Sequence, residues 1–301
     1  MKIKLAENFR AIFYAPFYAL KALDLAAREG VEIEWLASDS PGGAIDDVKR
    51  GAIDLTWGGP MRAMKDHDST PADGASLVCF GEVVSRDPFY LVGKPDPAGF
   101  RLTSLASQRL GVVSEVPTPW LCLQADLRDA GIDPTAMIAA IRVKSGLTMA
   151  QQLQALKEGH LDVGQFFEPY VSQALTEGAG RVLYAACGRG PTVYTTFLCS
   201  RDGLERRHET FAGLIRALQR LQDWIASHGP AALARLTAPF FQDIPPALFR
   251  SSIERYFFDR VWARHPEVSR SGFDRLAYSL HAGGFIASRM SYESCVYNFN
   301  V

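Results

Sequence analysis

The side chains best suited to covalent or metal chemistry are scattered along this chain. Its 301 residues include five cysteines, Cys79, Cys122, Cys187, Cys199 and Cys295, and six histidines. No C-x-x-C pair and no H-x-x-x-H or H-E-x-x-H pattern occurs, so the spacings that hold zinc or run thiol exchange are missing. An odd cysteine count argues against a complete disulfide framework, and buried or half-buried thiols are the plain expectation. Cys187, beside Gly188, is the best nucleophile candidate, yet no neighbouring base or nucleophile elbow accompanies it. Covalent chemistry is therefore not expected, nor is a metal or cofactor.

Residues suited to reversible binding are better grouped. Trp57-Gly58-Gly59-Pro60 ends an apolar alternating run and opens a helical one. Glycines there let ligand atoms approach the backbone, and exposed amides can hold an acceptor. It is not a phosphate loop, because no Gly-Lys-Ser or Gly-Lys-Thr follows. Phe13, Tyr14 and Phe17 flank Pro16 and offer aromatic walls, or else belong to the core of the first helix. Ser114 and Thr118 lie where a second helix opens, a position that also suits a simple N-cap. Phe166-Phe167-Glu168-Pro169 sets a carboxylate beside two aromatic rings at a helix start. Glu168 there could accept hydrogen bonds from an amino group, or merely complement the helix dipole. Arg62, one turn into its helix, could pair an acid, although a solvated arginine is the plainer expectation.

These groups need elements to hold them. Hydrophobic residues make up 48% and charged residues 22%, as in soluble globular proteins, and 301 residues give room for two lobes. A formal charge of −1 leaves no electrostatic footprint for nucleic acid. No apolar run reaches the roughly 20 residues that span a bilayer, so no membrane insertion is expected. Met1 to Glu7 lacks an apolar signal region. The chain as numbered is thus expected in the cytoplasm, or in the periplasm if a signal was removed before this numbering. Strand, helix, strand, helix, strand follow one another through Trp57, which predicts a parallel sheet with right-handed crossovers. Leu77–Val84 and Pro88–Gly93 read as further strands, and the pattern restarts at Arg109-Leu110-Gly111-Val112-Val113. Strands at Ile141–Val143, Leu161–Phe166 and Arg181–Tyr184 follow, with helices at Trp120–Ala130, Thr148–Glu158 and Pro169–Glu177. Thr192–Cys199 is a long β-type run that could cross back. From Leu204 on the sequence is helical, with apolar residues three and four apart as in Leu214, Leu218, Leu221 and Ile225. The expected organisation is a first lobe in two parts, residues 1–93 and 195–301, with a second lobe, residues 94–194, inserted. Two crossings imply a hinge, and the carboxyl ends of the strands of both lobes should line one cleft.

Several motifs together resemble a known family. They are Ala15-Pro16-Phe17-Tyr18-Ala19-Leu20, the G-x-x-D run Gly51-Ala52-Ile53-Asp54, Arg109-Leu110-Gly111-Val112, the second G-x-x-D run Gly159-His160-Leu161-Asp162, and Phe167-Glu168-Pro169. In this order and spacing they resemble the solute-binding proteins of bacterial ABC importers for nitrate, sulfonates, taurine and thiamine-pyrimidine precursors. Eukaryotic thiamine-pyrimidine synthases share that fold. The resemblance spans roughly the whole chain. It implies a type II periplasmic-binding-protein fold, α/β and two-lobed, with two hinge crossings and a helical C-terminal tail. It also implies capture of a small molecule without turnover, and an ABC permease as partner. By family position Ser114 and Thr118 face the cleft. The synthases carry a cysteine-rich run and a lysine where this chain reads Ala186-Cys187-Gly188-Arg189-Gly190 and Trp57-Gly58-Gly59-Pro60, which argues against pyridoxal-phosphate chemistry. The expected ligand contacts are Tyr14, Phe17, Trp57, Gly58, Gly59, Ser114, Thr118, Phe167 and Glu168. With Glu168, Glu115 and Asp39 on the proposed cleft loops, an aminopyrimidine-like or other aromatic heterocycle is expected. A small organic anion of sulfonate type is the alternative, and an enzyme on the same fold is a further one.

Overall fold

The computed structural model describes residues 1–300 except 39, 71–73, 75, 96–98 and 141. Asp39 and Ile141, both drawn on above, therefore lie outside the described residues. Lys2 to Ala6 form β1, with Ile3 and Leu5 turned inward and Lys2 and Lys4 outward. Glu32–Leu36 forms β2 and pairs parallel to it in a register that sets Lys2 against Glu32 and Lys4 against Glu34. The charges alternate with the pleat, so a one-residue slip would bring apolar side chains to water. β3 (Leu55–Gly58) and β4 (Leu77–Val84) follow, and β10 (Thr195–Ser200) returns late in the chain to lie antiparallel between them. The first sheet has the order β2-β1-β3-β10-β4.

The second sheet is built from β5 (Tyr90–Gly93), β6 (Leu110–Gly111), β7 (Val143–Lys144), β8 (Val163–Phe166) and β9 (Arg181–Ala185), in the order β7-β6-β8-β5-β9. Segments 85–89 and 186–194 carry the chain between the sheets. The fold is the two-lobed type II periplasmic-binding-protein fold with two hinge crossings and a helical C-terminal tail. The first crossing comes one strand earlier than the boundary at residue 93 anticipates, because β5 pairs with β8 and with β9. An apolar run shows that a strand is buried, not which neighbours take it.

The helices are α1 (Ala15–Ala22), α2 (Leu25–Arg28), α3 (Ile45–Lys49), α4 (Met61–Ser69), α5 (Thr118–Asp129), α6 (Pro134–Ala139), α7 (Met149–Lys157), α8 (Tyr170–Thr176), α9 (Arg201–Arg206), α10 (His208–Thr237), α11 (Pro246–Phe258), α12 (Arg270–Ala282) and α13 (Tyr292–Cys295). The first helical stretch divides into α1 and α2, with Asp24 in the left-handed region at φ 50° between them. The helix α10 is kinked at residue 229. Gly229 takes φ 74° and Pro230 follows it, so the backbone turns and the second half restarts on proline. Phe211, Leu214, Leu218, Leu221 and Ile225 form the buried face of α10. Among the described residues, no helix is long and apolar enough to cross a membrane.

Candidate functional site

The loops at the carboxyl ends of β1, β3 and β6 meet between the two sheets. From β1 comes Asn8, whose Oδ1 accepts the Gly42 N–H at 2.6 Å and whose Nδ2 donates to Tyr14 Oη at 3.2 Å. Asn8 is buried, so its amide ties two cleft loops together and fixes the Tyr14 hydroxyl. Burial pushes the Tyr14 phenol up to about 12, against the pull of the Asn8 hydrogen bond. From β3 the chain runs through Gly59 and Pro60 into α4, and from β6 through Val116 and Pro117 into α5. Neither helix has a side-chain hydrogen bond at its N-cap, and both N-caps are prolines. The Arg62 N–H donates to Gly59 O and Pro119 has no N–H, so among the described residues the Met61, Ala63, Thr118 and Trp120 amides are left for another acceptor.

Arg62 lies in the first turn of α4 and its guanidinium points into this space. It passes under the loop at Gly42, occupying the room that a Cβ on that residue would take. Gly42 has φ +79°, a conformation that few residues but glycine adopt at low cost. Burial lowers the Arg62 pKa, with only the hydroxyls of Tyr14 and Tyr194 acting in the opposite sense. Among the described residues no carboxylate pairs with it. A guanidinium stays protonated at neutral pH even so. Among the described residues Arg62 is therefore a half-buried cation without a counter-charge, flanked by two helix N-termini and by Tyr194 and Thr118. The remaining cavity, bordered also by Asn8, Phe9, Gly59 and Val116, measures about 30 Å³. That holds little more than a water molecule, so the lobes lie closed.

Two contacts hold them closed. On one side Glu168, wholly buried at the end of β8, reaches α11. Its carboxylate accepts from Arg255 Nε at 2.6 Å and Ser252 Oγ at 3.1 Å, and from Ser172 N and Oγ at 2.9 Å each. Its backbone N–H donates to Tyr256 Oη at 2.8 Å. On the other side Leu121 and Cys122 of α5 pack with Phe273, Leu276 and Leu280 of α12. Near the crossings, Arg189 donates to Asp87 Oδ2 and to Asp126 Oδ1, each at 2.8 Å, and all three side chains are nearly or wholly buried.

The expected contact residues separate into groups. Tyr14, Gly59 and Thr118 border the cavity. Gly58 backs it, since a Cβ there would stand 3.4 Å from Arg62 Nε. Trp57 and Phe17 do not reach it. They stack on each other in the core, with ring centroids 4.3 Å apart and planes 9° from parallel. Ser114 is exposed, and its N–H donates to Glu115 Oε2 at 3.3 Å. Phe167 lines a neighbouring groove rather than the cavity. Glu168 is corrected most sharply, because its oxygens are taken by Arg255, Ser252 and Ser172 and it does not border the cavity. Asn8, Phe9 and Tyr194 also border the cavity and were not anticipated, and Arg62 borders it although a solvated arginine was the plainer expectation. Position alone could have flagged Arg62, the second residue of a helix that opens on the cleft. Cys187 is buried and its thiol is pushed up to about 11, the opposite of an activated nucleophile. Among the described residues no group of His, Cys, Asp and Glu side chains could hold a metal ion.

Residues 95–238 match the profile of the NMT1-like family. Over the whole chain, YtlA of Bacillus subtilis (strain 168), whose name describes a binding protein, is 23% identical, with 98% of this chain and 87% of that protein covered. Two solved structures share the fold. The alkanesulfonate-binding protein SsuA from Xanthomonas axonopodis pv. citri, bound to MOPS, superposes with a TM-score of 0.70 at 17% identity, covering 99% of this chain and 98% of that one. The ligand-binding component of an ABC-type import system from Staphylococcus aureus, solved with zinc, gives 0.71 at 13%, covering 99% and 97%.

Proposed function

We propose that this chain closes its two lobes over a small organic anion and delivers it to an ABC permease, without turnover. The observation that carries the reading is Arg62, a cation at the cleft with no carboxylate partner among the described residues. Leaving such a charge desolvated is costly, and a bound anion offsets that cost. The uncapped N-termini of α4 and α5 add amide donors from both lobes. A ligand that touches both lobes favours the closed state by its differential affinity for it. The names of the fold relatives, one an alkanesulfonate binder and one an import component, agree with this choice. The aminopyrimidine-like heterocycle expected from the sequence leaned on a free Glu168, and that carboxylate is occupied.

The lobes in this reading are residues 1 to about 86 with about 192 to 301, and the segment between. The cavity of about 30 Å³ admits no organic anion, so the lobes must part for entry. Small-angle scattering should show contraction when benzenesulfonate is added, alongside calorimetric binding of one ligand per chain. Tight binding of an aminopyrimidine with indifference to sulfonates and carboxylates would overturn the proposal.

A further inference from the structure

Resting on that reading, we infer that the cavity takes an oxyanion that carries no proton, of sulfonate type, and discriminates against singly protonated phosphonates, with Asn8 as the positioning residue that sets this choice. The polar groups gathered at the cavity are mostly donors. Arg62 cannot accept a hydrogen bond, and neither can the Met61, Ala63, Thr118 and Trp120 amides. The nearby acceptors are engaged. Asn8 Oδ1 accepts the Gly42 N–H at 2.6 Å, Gly59 O accepts the Arg62 N–H at 3.1 Å, and Pro117 O accepts the Leu121 N–H at 3.2 Å. Among the described residues, no carboxylate and no histidine borders the cavity.

Asn8 and Tyr14 complete the pattern. The Asn8 side chain is buried beside Arg62 at Gly58, where a Cβ would stand 3.5 Å from Asn8 Nδ2 and 3.4 Å from Arg62 Nε. With its oxygen on Gly42, Asn8 turns its NH2 to Tyr14 Oη, 3.2 Å away. The phenol oxygen then accepts from Asn8, and its own hydrogen points elsewhere. Thr195 lies near enough to lower the phenol's pKa, but its buried Oγ1 makes no hydrogen bond among the described residues. The Tyr14 O–H is left to donate to the anion, on a side chain that borders the cavity. A sulfonate meets each of these donors with a lone pair. A phosphonate that keeps one proton brings a P–O–H group that needs an acceptor. If Thr118 or Tyr194 turns its hydroxyl to accept that hydrogen, the ion loses the hydroxyl as a donor. If neither does, a buried polar hydrogen is left without a partner, which is costly.

The test is calorimetry of the full chain with benzenesulfonate and phenylphosphonate, two tetrahedral anions on the same ring. It runs from about pH 6 to about pH 9, a span in which the phosphonate loses its remaining proton. Benzenesulfonate affinity should hardly change with pH, because Arg62 keeps its charge and burial holds the Tyr14 phenol at about 12. Phenylphosphonate should bind about tenfold or more weakly than benzenesulfonate at the acid end, and the gap should close as the pH rises. Asn8→Asp should narrow the gap at the acid end. One carboxylate oxygen would keep Gly42, and the other would accept from the Tyr14 O–H and leave the phenol oxygen to accept from the ligand. The added charge weakens both anions alike, as a loss of packing would, so the gap reads only the direction of the hydrogen bonds. If Asn8→Asp fails to fold, Tyr14→Phe should narrow the gap as well, since it removes a donor that the P–O–H group cannot use. Phenylphosphonate binding as tightly as benzenesulfonate at the acid end would reject the requirement for a proton-free ion and leave the anion reading standing. A gap unchanged in both variants would reject the role of Asn8. Binding of neither anion would reject both readings.

Discussion

Arg255 Nε lies 2.6 Å from Glu168 Oε1, joining α11 of one lobe to the end of β8 in the other. The carboxylate is wholly buried and the arginine side chain is 26% exposed, so the pair is only lightly screened by solvent. Removing one partner of such a pair leaves a buried charge behind, at a cost of about 3–5 kcal/mol.

Arg255→Ala should therefore lower unfolding stability by about 3 kcal/mol in urea titration. It should also enlarge the benzenesulfonate-bound protein in scattering, because a contact that holds the closed lobes together is lost. Unchanged stability and unchanged dimensions would show that α8 and α11 are held by apolar packing alone.

Glu82 gives a pH dependence. It is nearly fully buried, its Oε2 accepts the Ser269 N–H at 2.8 Å, and its Oε1 has no partner among the described residues. Burial raises its pKa from 4.5 to about 8. An acid raised in the folded state holds its proton there while the unfolded chain has lost it. Its contribution is thus fully present below pH 4.5 and lost as the pH rises to about 8. Stability should fall by roughly 5 kcal/mol across that window. Glu82→Gln should flatten the slope in denaturant titrations at several pH values. A variant with the wild-type slope would remove Glu82 as the cause.

Gly42→Ala tests how Arg62 is positioned. The new methyl would stand where the guanidinium lies, on a backbone at φ +79°. Anion affinity should drop about tenfold, alongside a stability loss of about 1 kcal/mol. If stability falls but affinity is kept, Arg62 binds the anion from some other position.

Trp57 separates core from cleft. It is fully buried and stacked on Phe17. Trp57→Phe should destabilise the chain by about 1–3 kcal/mol and leave sulfonate affinity almost unchanged. A large affinity loss without destabilisation would return Trp57 to the ligand site.

Much of the fold was legible, and the reason is periodicity. The β3-to-α4 turn at Gly58-Gly59-Pro60, the strand at Leu77–Val84 and the buried spacing of Leu214, Leu218, Leu221 and Ile225 in α10 all follow from local patterns. The allotment of β5 to the second sheet did not, because strand partners are chosen by the tertiary fold. The site was harder to read for the same reason. Glu168 had the sequence context of a ligand contact, but its partners Ser252 and Arg255 lie more than eighty residues away. Arg62 looked like an ordinary surface arginine until the loop at Gly42 was seen to close over it. Trp57 and Phe17 had the composition of aromatic walls, yet their stacking on each other consumes both faces that could have served a ligand.

In the proposed function Arg62 is the cation that receives the anion, and that role carries the rest. It is tested most directly by calorimetric titration of wild type and Arg62→Met with benzenesulfonate. Charge-assisted hydrogen bonds contribute about 1.5–3 kcal/mol, so the variant should bind roughly ten- to a hundredfold more weakly. Arg62→Met binding benzenesulfonate as tightly as wild type would contradict the account.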